Sequence, residues 1–271
     1  MIRLGAVGYL NARPLVYQLE RSPNFTLRFD FPSKCADLLH AGDIDVGLIP
    51  SIEYLRGAPL AIVPDLAIAS RGPVTSVMLY TTRPMKDVRS IAMDTSSRTS
   101  VALVRVLCAK LFKVDPAIEP LAPNLDTMLK RCDAALMIGD NALFEPRVPS
   151  PEPRAPSPEP RLEVVDLGEA WTQLTGLAFV YAFWAGKPGV LTPAHVKELQ
   201  ETRDRGVAEA ETVARQYLQD APEWQARGAR YLRDNINYHF GDEERAGLEL
   251  FYRYASELGL APSGTIRFYG R

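Results

Sequence analysis

The 271-residue chain is poor in several kinds of residue, and each scarcity excludes something. Only three cysteines occur, Cys35, Cys108 and Cys132, with no two at CxxC spacing. They cannot all pair, and are expected as reduced, buried thiols of a cytoplasmic protein. The three histidines, His40, His195 and His239, stand apart and form no zinc-type ligand pattern. Charge of one sign is not in excess: 31 Lys+Arg face 33 Asp+Glu, a formal net charge of −2. A protein that grips nucleic-acid phosphates carries a clear basic surplus, so a nucleic-acid partner is excluded. Long apolar runs are missing too. The strongest, GLAFVYAFWAG at 176–186, falls well short of the ~20 residues that span a bilayer as a helix, so no membrane partner is expected. The opening MIRLGAVGYLNARP has no basic stretch followed by an unbroken apolar core, so it does not read as a secretion signal. There is no GxSxG, no P-loop and no GxGxxG between a strand and a helix.

Proline is plentiful, but locally. Seven of the 22 lie between Pro146 and Pro160, where PSPEPR occurs twice, at 149–154 and 156–161, separated by Ala155. Alternating prolines block helix and ladder hydrogen bonds, so 146–161 is expected to be an extended, solvated loop that needs no partner.

Elsewhere strands and helices alternate. Residues 2–7 alternate apolar and polar, and 12–19 have helical spacing after Gly8. A strand at 25–31 leads into a helix opened by Pro32-Ser33 and closed by Gly42. Short strands follow at 45–49, 60–70 and 76–82. The pattern then restarts: a strand at 90–94, a helix through Val101, Val104, Cys108 and Leu111, a strand near 118–121, a helix at 125–132 and a strand at 134–139. After the Pro-rich loop come strands at 164–167 and 179–184, then helices at 193–219, 223–235 and 242–258. Such alternation implies α/β units with mostly parallel sheets. It predicts two lobes around a cleft: a discontinuous first lobe of 1–85 plus 181–271, and a second of 86–180 that carries the Pro-rich loop.

Several strand ends run into short polar turns, where α/β sheets bind ligands and helix N-termini favour anions. Four stand out: GYLNARP at 8–14, PSIE at 50–53, DTSSRTS at 94–100 and GDN at 139–141. Ser33 and Ser51 read as helix N-caps, with Ser51 also a binding candidate. Ser97, Thr99 and Ser100 are more hydroxyls than one cap requires and are candidates for holding an anion. Asn11 is a candidate cleft residue. Arg13 is a candidate partner for a ligand carboxylate, and Asp140 and Asn141 are further binding candidates. On the residues alone, the chain is a two-lobed binder of a small anion.

The blocks GYLNARPL, DVGLIPSIEY, AIASRGPVTSV, DTSSRTSVAL, IGDNAL, DLGEAWTQLTGLAFVYAFWA and ERAGLELFYRYA run in order along nearly the whole chain. This pattern resembles the chorismate dehydratase family of the futalosine route to menaquinone. The resemblance implies a bilobal type II periplasmic-binding-protein-like fold, α/β with two mixed sheets flanked by helices and an interlobe cleft. It implies a cytoplasmic hydro-lyase with chorismate as its small-molecule partner and no cofactor or metal. It also ties catalysis to the asparagine of GYLNARP and the serine ending SRGPVTS, here Asn11 and Ser76. The alternatives are 1,4-dihydroxy-6-naphthoate synthase, of the same pathway and fold, and a non-catalytic small-anion-binding protein.

Overall fold

The computed structural model describes residues 1–146 and 162–270, so the duplicated Pro-rich segment lies almost wholly outside the described residues. In chain order the elements are β1 (Ile2–Val7), β2 (Phe25–Asp30), α1 (Pro32–Ala41), β3 (Val46–Pro50), β4 (Ala61–Ile62), β5 (Ile68–Ser70), β6 (Val77–Thr81), β7 (Ser90–Met93), α2 (Arg98–Leu107), β8 (Ala117–Pro120), α3 (Leu125–Arg131), β9 (Ala134–Ile138), α4 (Asp140–Leu143), β10 (Glu163–Asp166), α5 (Leu167–Thr175), β11 (Phe179–Gly186), α6 (Pro193–Ala208), α7 (Ala210–Tyr217), α8 (Gln225–Arg230) and α9 (Asp242–Glu257).

These strands build two sheets. The first has the order β2-β1-β3-β11-β4, with β5 also on β11; the second has the order β10-β6-β9-β7-β8. Both are mixed, as the resemblance implied, rather than mostly parallel as the alternation suggested. The β1 strand pairs parallel with β2 and β3, whereas β11 runs antiparallel to β3, β4 and β5. In the second sheet β7 pairs parallel with β8 and β9, and β6 runs antiparallel to β9 and β10. The antiparallel strands β6 and β11 are the first each sheet receives when the chain arrives from the other one. The sheets therefore divide earlier than the expected lobe boundary: 77–81, counted with the first lobe, pairs wholly within the second sheet.

The chain passes between sheets through 71–76 and again through 176–178. Trp171 of α5 anchors the second crossing. It is fully buried, with Phe179, Phe251 and Tyr254 packed edge-on at 5.2, 6.1 and 6.3 Å. Burial of each such ring contributes about 1.5–3 kcal/mol, which joins α5 to β11 and α9.

Two local expectations change for stated reasons. Residues 10–16 form a 3-10 helix rather than an α-helix over 12–19, because Pro14 removes a backbone donor inside it. The helix expected over 193–219 breaks at Glu209 into α6 and α7. The helix at 32–41 ends as expected at Gly42, which sits at φ +81°.

Candidate active site

A cavity of ≈ 40 Å³ lies between the sheets, with Tyr9, Asn11, Ser76, Ser97, Ser100 and Tyr181 in its wall. A groove of ≈ 970 Å³ lies outside it, past Tyr9 and among Asp94, Ser96, Asp140 and Asn141. Tyr9 belongs to both walls. Its hydroxyl lies 3.1 Å from Ser96 Oγ, and its ring packs on Gly139 so closely that a Cβ there would stand 2.8 Å from it. Gly139 also has φ +59°, so it is required twice.

Asn11 projects from the 3-10 turn of residues 10–16. That turn is held from three sides. Leu10 N donates to Asp140 Oδ1 at 3.1 Å, and Tyr238 OH donates to Asn11 O at 3.0 Å. Helix α6 lies against Pro14 with room only for Gly206, where a Cβ would meet Pro14 O at 2.2 Å. The backbone is thus held in place, but Asn11 Oδ1 is buried with no hydrogen-bond partner among the described residues. Leaving an amide oxygen so costs about 1–3 kcal/mol, a cost that a ligand donor at the cavity wall would relieve.

Ser76 ends the first crossing and is 1% exposed. Its carbonyl accepts from Gly139 N at 2.8 Å, and its Oγ accepts from Tyr231 OH at 2.7 Å. The loop before it is pinned by Asp166. One carboxylate accepts from Val74 N (3.0 Å) and Thr75 N (2.7 Å) while capping α5 through Gly168 N (2.9 Å) and Glu169 N (3.1 Å). Burial pushes the Asp166 carboxyl above its ordinary value, against the pull of those four N–H groups. Thr75 is held at φ +58°, a left-handed conformation that a β-branched residue rarely adopts. The brace holds Ser76 at the cavity wall.

The hydroxyl turn at 94–100 divides. Ser97 is the N-cap residue of α2 but makes no side-chain capping bond, and Ser100 Oγ donates to Ser97 Oγ at 3.1 Å; both line the cavity. Thr99 and Ser51 sit behind the wall. Thr99 Oγ1 accepts from Ile52 N at 3.1 Å, and Ser51 Oγ donates to Val180 O at 2.8 Å. Arg13 does not reach the cavity: its guanidinium donates to Gly8 O at 3.0 Å and lies between the rings of Phe29 (4.4 Å) and Tyr217 (4.7 Å). Asp140 accepts from Leu10 N and, at 2.5 Å, from Tyr217 OH, so it supports the Asn11 turn; burial pushes its carboxyl up. Asn141 is exposed beside it in the outer groove. Glu53 is 2% exposed, with its carboxylate held by Arg56 and, at 3.0 Å, by Arg98.

Of the histidines, His40 faces Glu53, His195 closes the capping box of α6, and His239 pairs with Asp65; none lines the cavity. The three cysteines are buried and free, as expected. Among the described residues no group of three or more His, Cys, Asp or Glu is placed to hold a metal, and no helix is long and apolar enough to cross a membrane.

Sequence reasoning did not nominate Tyr9, Tyr181, Tyr231, Tyr238 or Asp166. Tyr9 sat inside a quoted motif. Tyr181 lies in an apolar segment and reads as core, Tyr231 sits in a charged helical stretch with no site signal, and Asp166 carries only the signal of a helix N-cap.

A family model described as menaquinone biosynthesis matches residues 2–257. Chorismate dehydratase of Thermus thermophilus is 32% identical over 264 residues, 95% of each chain. Chorismate dehydratase of Campylobacter jejuni is 26% identical over 267 residues, 95% of this chain and 99% of that one. Among solved structures, the periplasmic aliphatic sulphonate-binding protein of Escherichia coli superposes with a TM-score of 0.66 at 16% identity, over 100% of this chain and 94% of that one. This last likeness shows a periplasmic-binding-protein-like fold and nothing more.

Proposed function

The chain belongs to the menaquinone biosynthesis family, and from that premise we propose that it is a chorismate dehydratase, a hydro-lyase that turns chorismate into 3-[(1-carboxyvinyl)oxy]benzoate. The Thermus and Campylobacter relatives carry that name, which favours dehydration over naphthoate synthesis. One observation on the molecule carries the assignment of the site: the buried, unpartnered Oδ1 of Asn11 on the same cavity wall as Ser76.

The substrate's C3–H is vinylogous to its ring carboxylate, so loss of that proton gives a delocalised anion. Departure of the C4 hydroxyl then makes the ring aromatic. The C3 proton and the C4 hydroxyl leave together as one water. Aromatisation supplies the driving force, and the protein supplies orientation and donors at developing charge. In this reading Asn11 Oδ1 accepts from the C4 hydroxyl and orients it, and Ser76 donates to the departing oxygen. Ser97 and Ser100, at the N-terminal end of α2, receive a carboxylate. The engagement of Glu53 by two arginines supports the substrate's own side-chain carboxylate as the proton acceptor. The cavity is far below the ~300 Å³ of ordinary ligand sites, so a bound substrate has either to widen it or to extend past Tyr9 into the larger groove. The buried free thiols support a reducing compartment, the cytoplasm.

The test is incubation with chorismate and detection of the dehydrated aromatic acid by mass. Asn11→Ala and Ser76→Ala should each lower kcat by roughly 10²–10³-fold, the loss typical of a removed transition-state donor or orienting group. Full turnover in both variants would reject the assignment of the site. Chorismate bound without loss of water would make the protein an anion-binding module instead.

A further inference from the structure

We propose that Tyr231 is a positioning residue of this site, one that turns the Ser76 hydroxyl into a donor aimed at the cavity. The inference rests on the dehydratase reading.

Tyr231 is 2% exposed, and its hydroxyl donates to Ser76 Oγ at 2.7 Å. A serine hydroxyl has one proton and two lone pairs. With one lone pair taken by Tyr231, the Ser76 proton must point away from it. No acceptor for that proton is present among the described residues, and Ser76 lines the cavity. The acceptor left to it is the leaving oxygen of a bound substrate. Accepting from Tyr231 also polarises the Ser76 O–H and strengthens what it donates.

Tyr231 itself stays a donor. Burial pushes its phenol well up, and Asp140 and Asp166 push it further, against the hydrogen bonds of Ser76 and Asn11. It therefore neither gives up nor takes a proton during the reaction; it fixes the polarity of the chain that ends at Ser76.

The local backbone is built for this role. Helix α8 passes at Tyr231 into a π turn, Tyr231–Asn235. Such wide turns are rare, and they gather at functional sites because they redirect side chains. Just beyond, Asn237 exchanges two backbone hydrogen bonds with Ala69, and Tyr238 OH holds Asn11 O. One segment, 231–238, thus sends one tyrosine to each of the two proposed catalytic residues.

Tyr231→Phe keeps the ring and removes the hydroxyl. Steady-state kinetics with chorismate should show kcat down roughly tenfold to a hundredfold, KM within about twofold of wild type, and nearly unchanged thermal unfolding. The double variant S76A/Y231F should lose far less than the product of the two single losses, because the tyrosine acts chiefly through that serine. An unchanged kcat in Tyr231→Phe, or losses that multiply in the double variant, would overturn the inference and leave Tyr231 a core residue. Wild type is measured alongside. If it removes no water from chorismate, the dehydratase reading fails and this inference falls with it; if wild type turns over and Tyr231→Phe matches it, only the tyrosine assignment fails.

Discussion

The turns at 8–14 and 94–100 read alike as sequence: each follows a buried strand, opens a helical segment and is crowded with polar groups. In the folded protein they are unlike. In the first, the backbone is held by Asp140, Tyr238 and the close approach of α6, while the Asn11 amide oxygen is left unpaired at the cavity. In the second, most side chains are consumed by the fold. Asp94 Oδ1 accepts from both N and Oγ of Ser96, although its buried Oδ2 has no partner among the described residues, Arg98 reaches Glu53 and Asp37, and Thr99 serves Ile52 N. Only Ser97 and Ser100 face the cavity. A polar residue satisfied by backbone is architecture; one left unsatisfied at a cavity wall is where a ligand can act.

The contrast breaks if the architectural residues of the second turn prove to be chemical. Glu53→Gln removes the carboxylate that Arg98 and Arg56 share. Because both arginines are partly exposed, we expect no more than the lower end of the ~3–5 kcal/mol cost of a broken buried ion pair in denaturant unfolding. Turnover per folded molecule should be retained, and its collapse would make Glu53 the proton acceptor. Thr99→Val keeps the side-chain volume but orphans Ile52 N, at a cost of about 1–2 kcal/mol. Its KM for chorismate should match wild type, and a raised KM would move Thr99 into the binding set.

Ser97→Ala combined with Ser100→Ala should do the opposite. We expect KM to rise roughly tenfold, from two lost hydrogen bonds of about 0.5–1.5 kcal/mol each, with stability little changed. An unaltered KM would mean that the carboxylate binds elsewhere. The smallest effect lies outside both turns. Arg3 holds the Asp45 carboxyl below its ordinary value through a hydrogen-bonded ion pair. The pair's stabilisation is therefore present above the unfolded-state value near pH ~4 and is lost as pH falls through the lower folded-state value. The stability difference between wild type and Asp45→Asn should shrink on acidification below that point. A difference independent of pH would show that the ion pair is not its source.

Much of this was legible from local pattern. The helix from Pro32 to Gly42, the buried strand ending at Pro50 and the face of α2 through Val101 and Val104 all follow from short-range spacing and cap chemistry. Asn11, Ser76, Ser97 and Ser100 were nominated, and they line one cavity. Ser51, Thr99 and Arg13 were nominated on the same kind of signal, yet they turn to Val180, Ile52 and Gly8. No spacing rule separates the two groups, because each hydrogen-bond partner comes from a distant segment. The antiparallel direction of β6 and β11 was hidden for a similar reason, since it follows from crossings between sheets rather than from either strand's own residues.

By itself the sequence determined the family, the alternation of strands and helices and the polar turns at the strand ends, because periodicity, caps and motifs are short-range properties of a chain. Only the tertiary structure decided which polar groups would be spent and which kept free. Tyr231 and Tyr238 arrive from the C-terminal third to meet Ser76 and Asn11, and Asp166 arrives at the end of β10, an edge strand of the second sheet, to brace the loop before Ser76. Hydrogen-bond capacity is finite and partners are set by packing, so the availability of a side chain for chemistry is fixed only when the whole chain has folded.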